Sequence, residues 1–232
     1  MTKKYFVISD IHGHYEEMLG SLKLNNFDKN NKMHHLLVLG DMFDRGTKSK
    51  EILEFLYKLY LENKVTIILG NHESFLIEFL EGDYVRAIFN MKMNGFKKTL
   101  ESFLQRKLIE EEDWEEVRNE ILSKFSYLHS FLNSLPLYIE TKEYIFVHGG
   151  IKYGETNWKE NSKRDFIWGR ESQFNRVPGK IVVCGHERVS KIRFPDKDQK
   201  ELIISNPEAF DILKSEGKIH IDAFVEISKK IN

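Results

Sequence analysis

Short apolar runs, each closed by a polar turn containing glycine, set the rhythm of the first third of the chain. Tyr5 to Ser9, His35 to Leu39 and Val65 to Leu69 read as buried strands, because a continuous apolar run bounded by turn residues suits a strand covered on both faces. Between them, Tyr15 to Leu24 and Ser49 to Leu61 carry helical spacing. Leu19 and Leu22 are inward candidates on the first helix, and Ile52, Leu56, Leu59 and Tyr60 form one stripe on the second. Strand, helix, strand, helix, strand is the order of a βαβ sheet, and open α/β sheets bind ligands outside the carboxyl ends of their strands.

Residues 73–135 read as mainly helical. Trp114, Val117, Ile121, Phe125, Leu128 and Leu132 recur at steps of three and four, which predicts one long amphipathic helix stopped by Pro136. The pattern then turns to strands: Leu137 to Glu140, Tyr144 to Val147, Ile181 to Cys184, Glu201 to Ile204, and Ile219 to Ile227 with a break. The expected fold is α/β, with two packed mixed β-sheets and helices outside. No repeat, low-complexity tract or Pro/Gly-rich linker divides the chain, so residues 1–232 read as a single domain.

Composition narrows the function classes. Hydrophobic residues at 41% and charged residues at 31% suit a soluble globular enzyme. Lys and Arg total 35 against 36 Asp and Glu, so no broad basic field is expected and strong nonspecific nucleic-acid binding is not predicted. The apolar run after Lys3-Lys4 is too short for a signal-peptide core or a membrane span. The single cysteine, Cys184, has no internal disulfide partner. Both points favour a reducing, cytoplasmic location, and Cys184 reads as a buried structural thiol.

The chemistry lies in polar clusters at the predicted strand ends: Asp10-Ile11-His12-Gly13, Gly40-Asp41-Met42-Phe43-Asp44-Arg45-Gly46, Gly70-Asn71-His72-Glu73, His148-Gly149-Gly150 and Gly185-His186. Each offers a metal-capable or proton-transferring group, and a glycine that lets the backbone turn sharply. Any one of them alone reads as a turn or a cap. Their ordered succession, each directly after an apolar run, is what points to a site.

In this order the clusters resemble the signature series of the calcineurin-like metallophosphoesterases. Asp44-Arg45-Gly46 points to the phosphoprotein phosphatase branch, which includes small bacterial and bacteriophage serine/threonine protein phosphatases. The resemblance spans Asp10 to His186. It implies an αββα sandwich around two divalent metal ions. Asp10 and His12 would bind the first, Asp41 would bridge both, and Asn71, His148 and His186 would complete the second. Carboxylate, amide oxygen and imidazole together suit manganese first, with Fe, Zn, Ni or Co as alternatives, better than Ca. A bridging carboxylate is what a metal pair about 3.5–4 Å apart requires.

The implied reaction is in-line attack on phosphorus by a metal-bridging hydroxide, formed because two cations lower the pKa of a shared water. Arg45 and Arg170, the latter in Trp168-Gly169-Arg170-Glu171, would bind phosphate oxygens, with Asn71 as a further substrate contact. His72 would be the general acid, oriented by Asp44. The alternative for Asp44 is an ion pair with Arg45 that only shapes the loop. The expected partner is a phosphorylated protein or a small phosphoester, with no membrane involved. The leading activity is therefore a serine/threonine protein phosphatase. The alternative is a phosphoesterase for dinucleoside polyphosphates (Ap4A type) or other nucleotides or RNA. A non-catalytic relative would lack a ligand, and none is missing.

Some positions depart from the family pattern. Leu69 stands where the phosphatase branch often has arginine, Glu187 where threonine is usual, and Ile221-Asp222-Ala223-Phe224 where Ile-Asp-Thr-Gly is common. His14 reads as a helix-start residue. His34, His35, His129, His220 and Trp168 read as surface or packing residues. The stretch from Tyr84 to Lys98, with Arg86, Lys92 and Lys97, reads as a solvated helical face, with a substrate-facing lip as the alternative.

Overall fold

In the computed structural model, which describes residues 3–109, 111–153, 157–174 and 176–232, alternate residues of each central strand enter different cores. Strands β1 (Lys4–Ile8), β2 (His34–Val38) and β3 (Val65–Ile67) form a parallel sheet in the order β1-β2-β3. Strands β4 (Tyr138–Glu140), β5 (Tyr144–Val147), β6 (Ile181–Cys184), β7 (Leu213–Ser215) and β8 (Lys218–His220) form a second sheet, ordered β4-β5-β6-β8-β7. Its centre is parallel and its two edges are antiparallel. Val7, Leu37, Phe146 and Val183 meet in one layer between the sheets. Their neighbours Phe6, Ile8, Leu36 and Val38 face the helices on one outer side, and Ile145, Val147, Val182 and Cys184 those on the other. Strands covered on both faces read as unbroken apolar runs, which is why the sequence announced them clearly.

Helices α1 (Tyr15–Leu24) and α2 (Ser49–Leu61) span the predicted residues. Their inward faces are slightly rotated from expectation. Met18 and Leu22 are buried on α1 while Leu19 is 36% exposed; on α2, Leu53 takes the inward place expected of Tyr60, which is 39% exposed. The helical middle consists of α3 (Asn71–Leu80), α4 (Tyr84–Met93), α5 (Phe96–Leu104), α6 (Trp114–Lys124) and α7 (Leu128–Asn133). The single long helix expected from Trp114 to Leu132 is thus two. Phe125 leaves helical geometry at φ −129° and ψ 63°. It packs its ring 5.3 Å from Phe103, while Tyr127 stacks 3.8 Å from Tyr57. Seating both rings bends the chain between them, and a periodicity that continues across the bend conceals it.

The remaining helices are α8 (Lys163–Trp168), α9 (Val189–Arg193), α10 (Gln199–Ser205) and α11 (Val225–Ser228). Two expected strands are corrected here. Glu201 to Ile204 lies in α10, started by the Asp198 carboxylate, which accepts the N–H groups of Lys200 and Glu201. The strand expected from Ile219 to Ile227 ends at His220, and Val225 to Ser228 is helical. The edge strand β7 was not anticipated; it joins β8 through Gly217 at φ 76°. Among the described residues no helix is long and apolar enough to cross a membrane.

A polar cluster anchors β8, with Lys218 and His220 buried and Glu171 partly exposed. Glu171 Oε2 accepts from Lys218 Nζ at 3.1 Å and from His220 Nε2 at 2.7 Å. The Lys218 ammonium also lies 4.5 Å from the centre of the Phe174 ring. His220 Nδ1 faces the buried Cys184 Sγ at 3.5 Å. Burial pushes the Cys184 thiol up to about 12, so it is an S–H donor, as a structural thiol should be. Burial and then the Lys218 charge push His220 down to about 4. Between that value and the ordinary histidine value of about 6.5, the unfolded chain binds a proton that the folded chain does not. Stability must therefore fall as pH drops through this window. His220→Gln should flatten that part of the profile in urea unfolding at pH 7, 6 and 5; an unchanged slope would show that His220 is not its source.

Candidate active site

The parallel strands deliver their carboxyl ends to one side of the molecule, and the chain turns sharply after each. Asp10, His12, Asp41, Asp44, Arg45 and His186 all take left-handed φ values, between 47° and 71°. A non-glycine residue there costs about 1–2 kcal/mol and persists only where its surroundings enforce it. The enforcement is visible. His12 N donates to Asp41 O at 2.9 Å, Gly13 N to Met42 O at 2.9 Å and Gly46 N to His12 O at 2.8 Å. The buried Glu73 carboxylate accepts the N–H groups of Asp41 and Met42 at 2.8 Å and of Gly70 at 3.0 Å. Burial and the neighbouring Asp41 charge push Glu73 up to about 7, against the pull of these donors. Glycine is required at two contacts. A Cβ on Gly185 would lie 2.1 Å from Asp10 Oδ2, and one on Gly70 would lie 2.4 Å from Asp41 Oδ1.

All six residues expected to hold metal converge. Asp41 belongs to two tight groups, His12–Asp41–His72 and Asp41–His148–His186, each with one donor atom per residue within 4.8 Å of the others. Asp10 stands beside the first group, with Oδ1 3.9 Å from His12 Nε2. Its carboxylate accepts from Ser9 Oγ and from the His186 N–H. Asn71 joins the second group through Oδ1, 3.0 Å from His148 Nε2. His12 Nδ1 donates to Phe43 O at 2.9 Å and His148 Nδ1 to Leu39 O at 2.6 Å, so both rings turn Nε2 inward. Backbone anchoring of one ring nitrogen is the usual support of a metal-binding imidazole.

The electrostatics fit a cation. Burial first, then Asp222 and Asp41, push Asp10 well above the ordinary carboxylate range. Burial also opposes the Asp41 charge, but His148 and His72 outweigh it and hold that carboxyl well below its usual value. His148 is raised to about 10, burial being overcome by Asp41. His148 Nε2 lies 3.3 Å from Asp41 Oδ1 and 3.0 Å from Asn71 Oδ1. Burial and then His148 lower His186 to about 3, and its buried Nε2 has no hydrogen-bond partner. A neutral imidazole with an orphaned inward nitrogen, facing crowded carboxylates, is a donor set suited to a divalent cation.

Beside this centre is a cleft of about 440 Å³ onto which Arg45, Asn71, His72, Arg170 and His186 open. His72 Nδ1 bonds Asp44 Oδ2 at 2.5 Å. The other Asp44 oxygen accepts from Thr99 Oγ1, and Thr99 Oγ1 accepts the Asp44 N–H at 2.8 Å. Arg45 pairs instead with Glu226, at 3.1 Å. His72 Nε2 lies 3.8 Å from Asp41 Oδ2 and 3.3 Å from Arg45 Nη2, between the donor groups and the cleft. Trp168, expected as packing, lines the cleft, its ring 5.6 Å from that of His186. Met93 and Asn94, at the end of α4, also line it, while Val85, Arg86, Phe89, Lys92 and Lys98 are exposed. Glu187 accepts the Glu171 N–H at 2.6 Å and so ties down the loop carrying Arg170.

Sequence reasoning missed Thr99, Arg188, Lys191 and Glu226. None belongs to a polar cluster at a strand end, and Glu226 meets Arg45 across 181 residues of chain. Only Arg188, two residues past His186, lay close enough to a motif to be noticed.

Comparison with known proteins is consistent with this geometry. Residues 3–198 match the family described as calcineurin-like phosphoesterase. The asymmetrical bis(5'-nucleosyl)-tetraphosphatase PrpE of Bacillus velezensis is 29% identical over 171 residues, 70% of this chain and 63% of that protein. The chain thus spans just under two thirds of that relative's length. A crystal structure provisionally assigned as a diadenosine tetraphosphatase superposes with a TM-score of 0.56 at 15% identity, over 96% of this chain and 84% of that one. A protein serine/threonine phosphatase from Saccharomyces cerevisiae gives 0.52 at 20% identity, over 80% and 61%.

The close approach at Gly185 supplies a direct test. Gly185→Ala should lower stability by about 1–3 kcal/mol and weaken divalent-metal binding by displacing the Asp10 carboxylate. Thermal unfolding with and without added Mn²⁺ measures both, and a wild-type melting temperature with an unchanged metal shift would contradict the contact.

Proposed function

The chain belongs to the calcineurin-like phosphoesterase family, and on that premise we propose that it hydrolyses dinucleoside polyphosphates at a dinuclear divalent metal centre. The observation that carries the chemistry is Asp41, common to both donor groups beside an open cleft. The substrate class is supported by PrpE, whose name states tetraphosphatase activity, and by Leu69, apolar where the phosphatase branch often carries arginine.

Asp10, His12, Asp41, Asn71, His148 and His186 hold the two ions, with manganese as the expected metal. When bound, such a pair activates a water and neutralises phosphate oxygens. Arg45 and Arg170 grip equatorial oxygens of the reacting phosphoryl group through their planar forks. His72 donates a proton from Nε2 to the leaving oxygen, and Asp44, itself fixed by Thr99, keeps that nitrogen aimed at the cleft. Asn71 serves both the second ion and the substrate.

Asp41→Asn should abolish hydrolysis and lower the metal retained after dialysis, measured by elemental analysis; full activity in that variant would end the dinuclear reading. His72→Asn should keep its metal yet slow a poor leaving group by about 10²–10⁴-fold, with a smaller effect on 4-nitrophenyl phosphate. Equal slowing of both would remove His72 as the acid. For the substrate, kcat/KM should be higher for diadenosine tetraphosphate than for a phosphothreonine peptide. The opposite order would favour the phosphoprotein phosphatase reading, for which the intact Asp44-Arg45-Gly46 stands.

A further inference from the structure

Phe224, one of the chain's departures from the family pattern, supports a cation in the same cleft. It occupies the position where glycine is common and takes φ 54°, a conformation that costs a bulky residue and suits glycine. Its ring carries Arg188, whose guanidinium carbon lies 3.7 Å from the ring centre. Arg188 Nη2 bonds Glu226 Oε1 at 3.3 Å, and the same oxygen accepts from Arg45 Nη1 at 3.1 Å. A single carboxylate oxygen therefore holds two guanidinium groups side by side, while Glu226 Oε2 is buried with no partner.

Arg45 and Arg188 both line the cleft. Arg170 and Lys191 line the same cleft. The carboxylate among the lining residues is Glu187, which is engaged by the Glu171 N–H. One phosphoryl group is served by two arginines; this wall carries a third arginine and a lysine. Each guanidinium has five N–H donors, more than Glu226 occupies.

We propose that Arg188 binds a phosphoryl group adjacent to the one attacked, so that the cleft selects condensed phosphates over monoesters, with Phe224 and Glu226 as its positioning residues. The proposal rests on the dinucleoside polyphosphate reading but is tested apart from it. Inorganic tripolyphosphate and orthophosphate, each in the presence of excess Mn²⁺, are titrated calorimetrically into the metal-loaded full chain and into Arg188→Ala and Arg188→Lys.

Wild type should bind tripolyphosphate more tightly than orthophosphate. Arg188→Ala should weaken tripolyphosphate by about 10–100-fold and orthophosphate by only a few fold. Arg188→Lys, which keeps charge but loses the fork and the ring contact, should fall between. On diadenosine tetraphosphate, Arg188→Ala should raise KM more than it lowers kcat. Equal weakening of the two anions, or no preference in wild type, overturns the assignment. Selective tripolyphosphate binding lost in Arg188→Ala supports it even if the wild-type chain fails to cleave the nucleotide, a result that sinks only the substrate reading.

Discussion

Asp41 is the charge on which the site is organised, and its position depends on Glu73. The turn after β2 puts Asp41 in a left-handed conformation at φ 54°, with Gly40 before it and Gly70 packed against its carboxylate. That turn would relax without a partner for its exposed N–H groups. Glu73, one turn into α3, takes those of Asp41 and Met42 together with that of Gly70. The Gly70-Asn71-His72-Glu73 segment is thus structural and chemical at once. Glu73 shapes the β2 turn, Asn71 and His72 look outward, and the Asp41 carboxylate accepts the His72 N–H at 3.0 Å in return.

The same crowding explains the electrostatics. Asp10, Asp41 and Asp222 are buried beside one another, and Asp222 is pushed up to about 6, by burial above all and despite Arg188 and Arg45. Three carboxylates in one desolvated region are unfavourable unless positive charge is fixed among them. The chain supplies part of it through His148 and the two arginines on Glu226. The inward nitrogens of His12 and His186, both driven towards neutrality, add donor atoms rather than charge. What the arrangement accommodates best is compact multivalent cation charge, which side chains alone do not provide.

The legible and illegible parts of the sequence divide along physical lines. Strand ends were legible because both-face burial makes each strand an apolar block, and the polar residues after it stand out. That found β1, β2, β3, β5 and β6 and every donor around Asp41. It failed where one pattern serves two structures. The stripe from Trp114 to Leu132 runs through the bend at Phe125, and Leu202-Ile203-Ile204 reads as a strand although Asp198 caps a helix there. It also failed where function depends on contacts without local signature. Thr99 supports Asp44 from α5, and Glu226 reaches two arginines from the last helix.

That division has a mechanical consequence. The donor residues sit on turns locked between sheets, where a displacement of one turn would disturb several strands. One side of the cleft is assembled from the end of α4, the Arg170 loop and the start of α9, with Glu226 of α11 holding Arg45 and Arg188. Substitutions there change the charge and shape of the cleft. Phe224 shows how far such a change can go: a bulky residue holds a glycine-like conformation with its ring beneath Arg188. Chemistry common to a family can therefore persist at the strand ends while the wall is rebuilt for a different phosphate ester, which is why the donor set speaks for the reaction and only the wall speaks for the substrate.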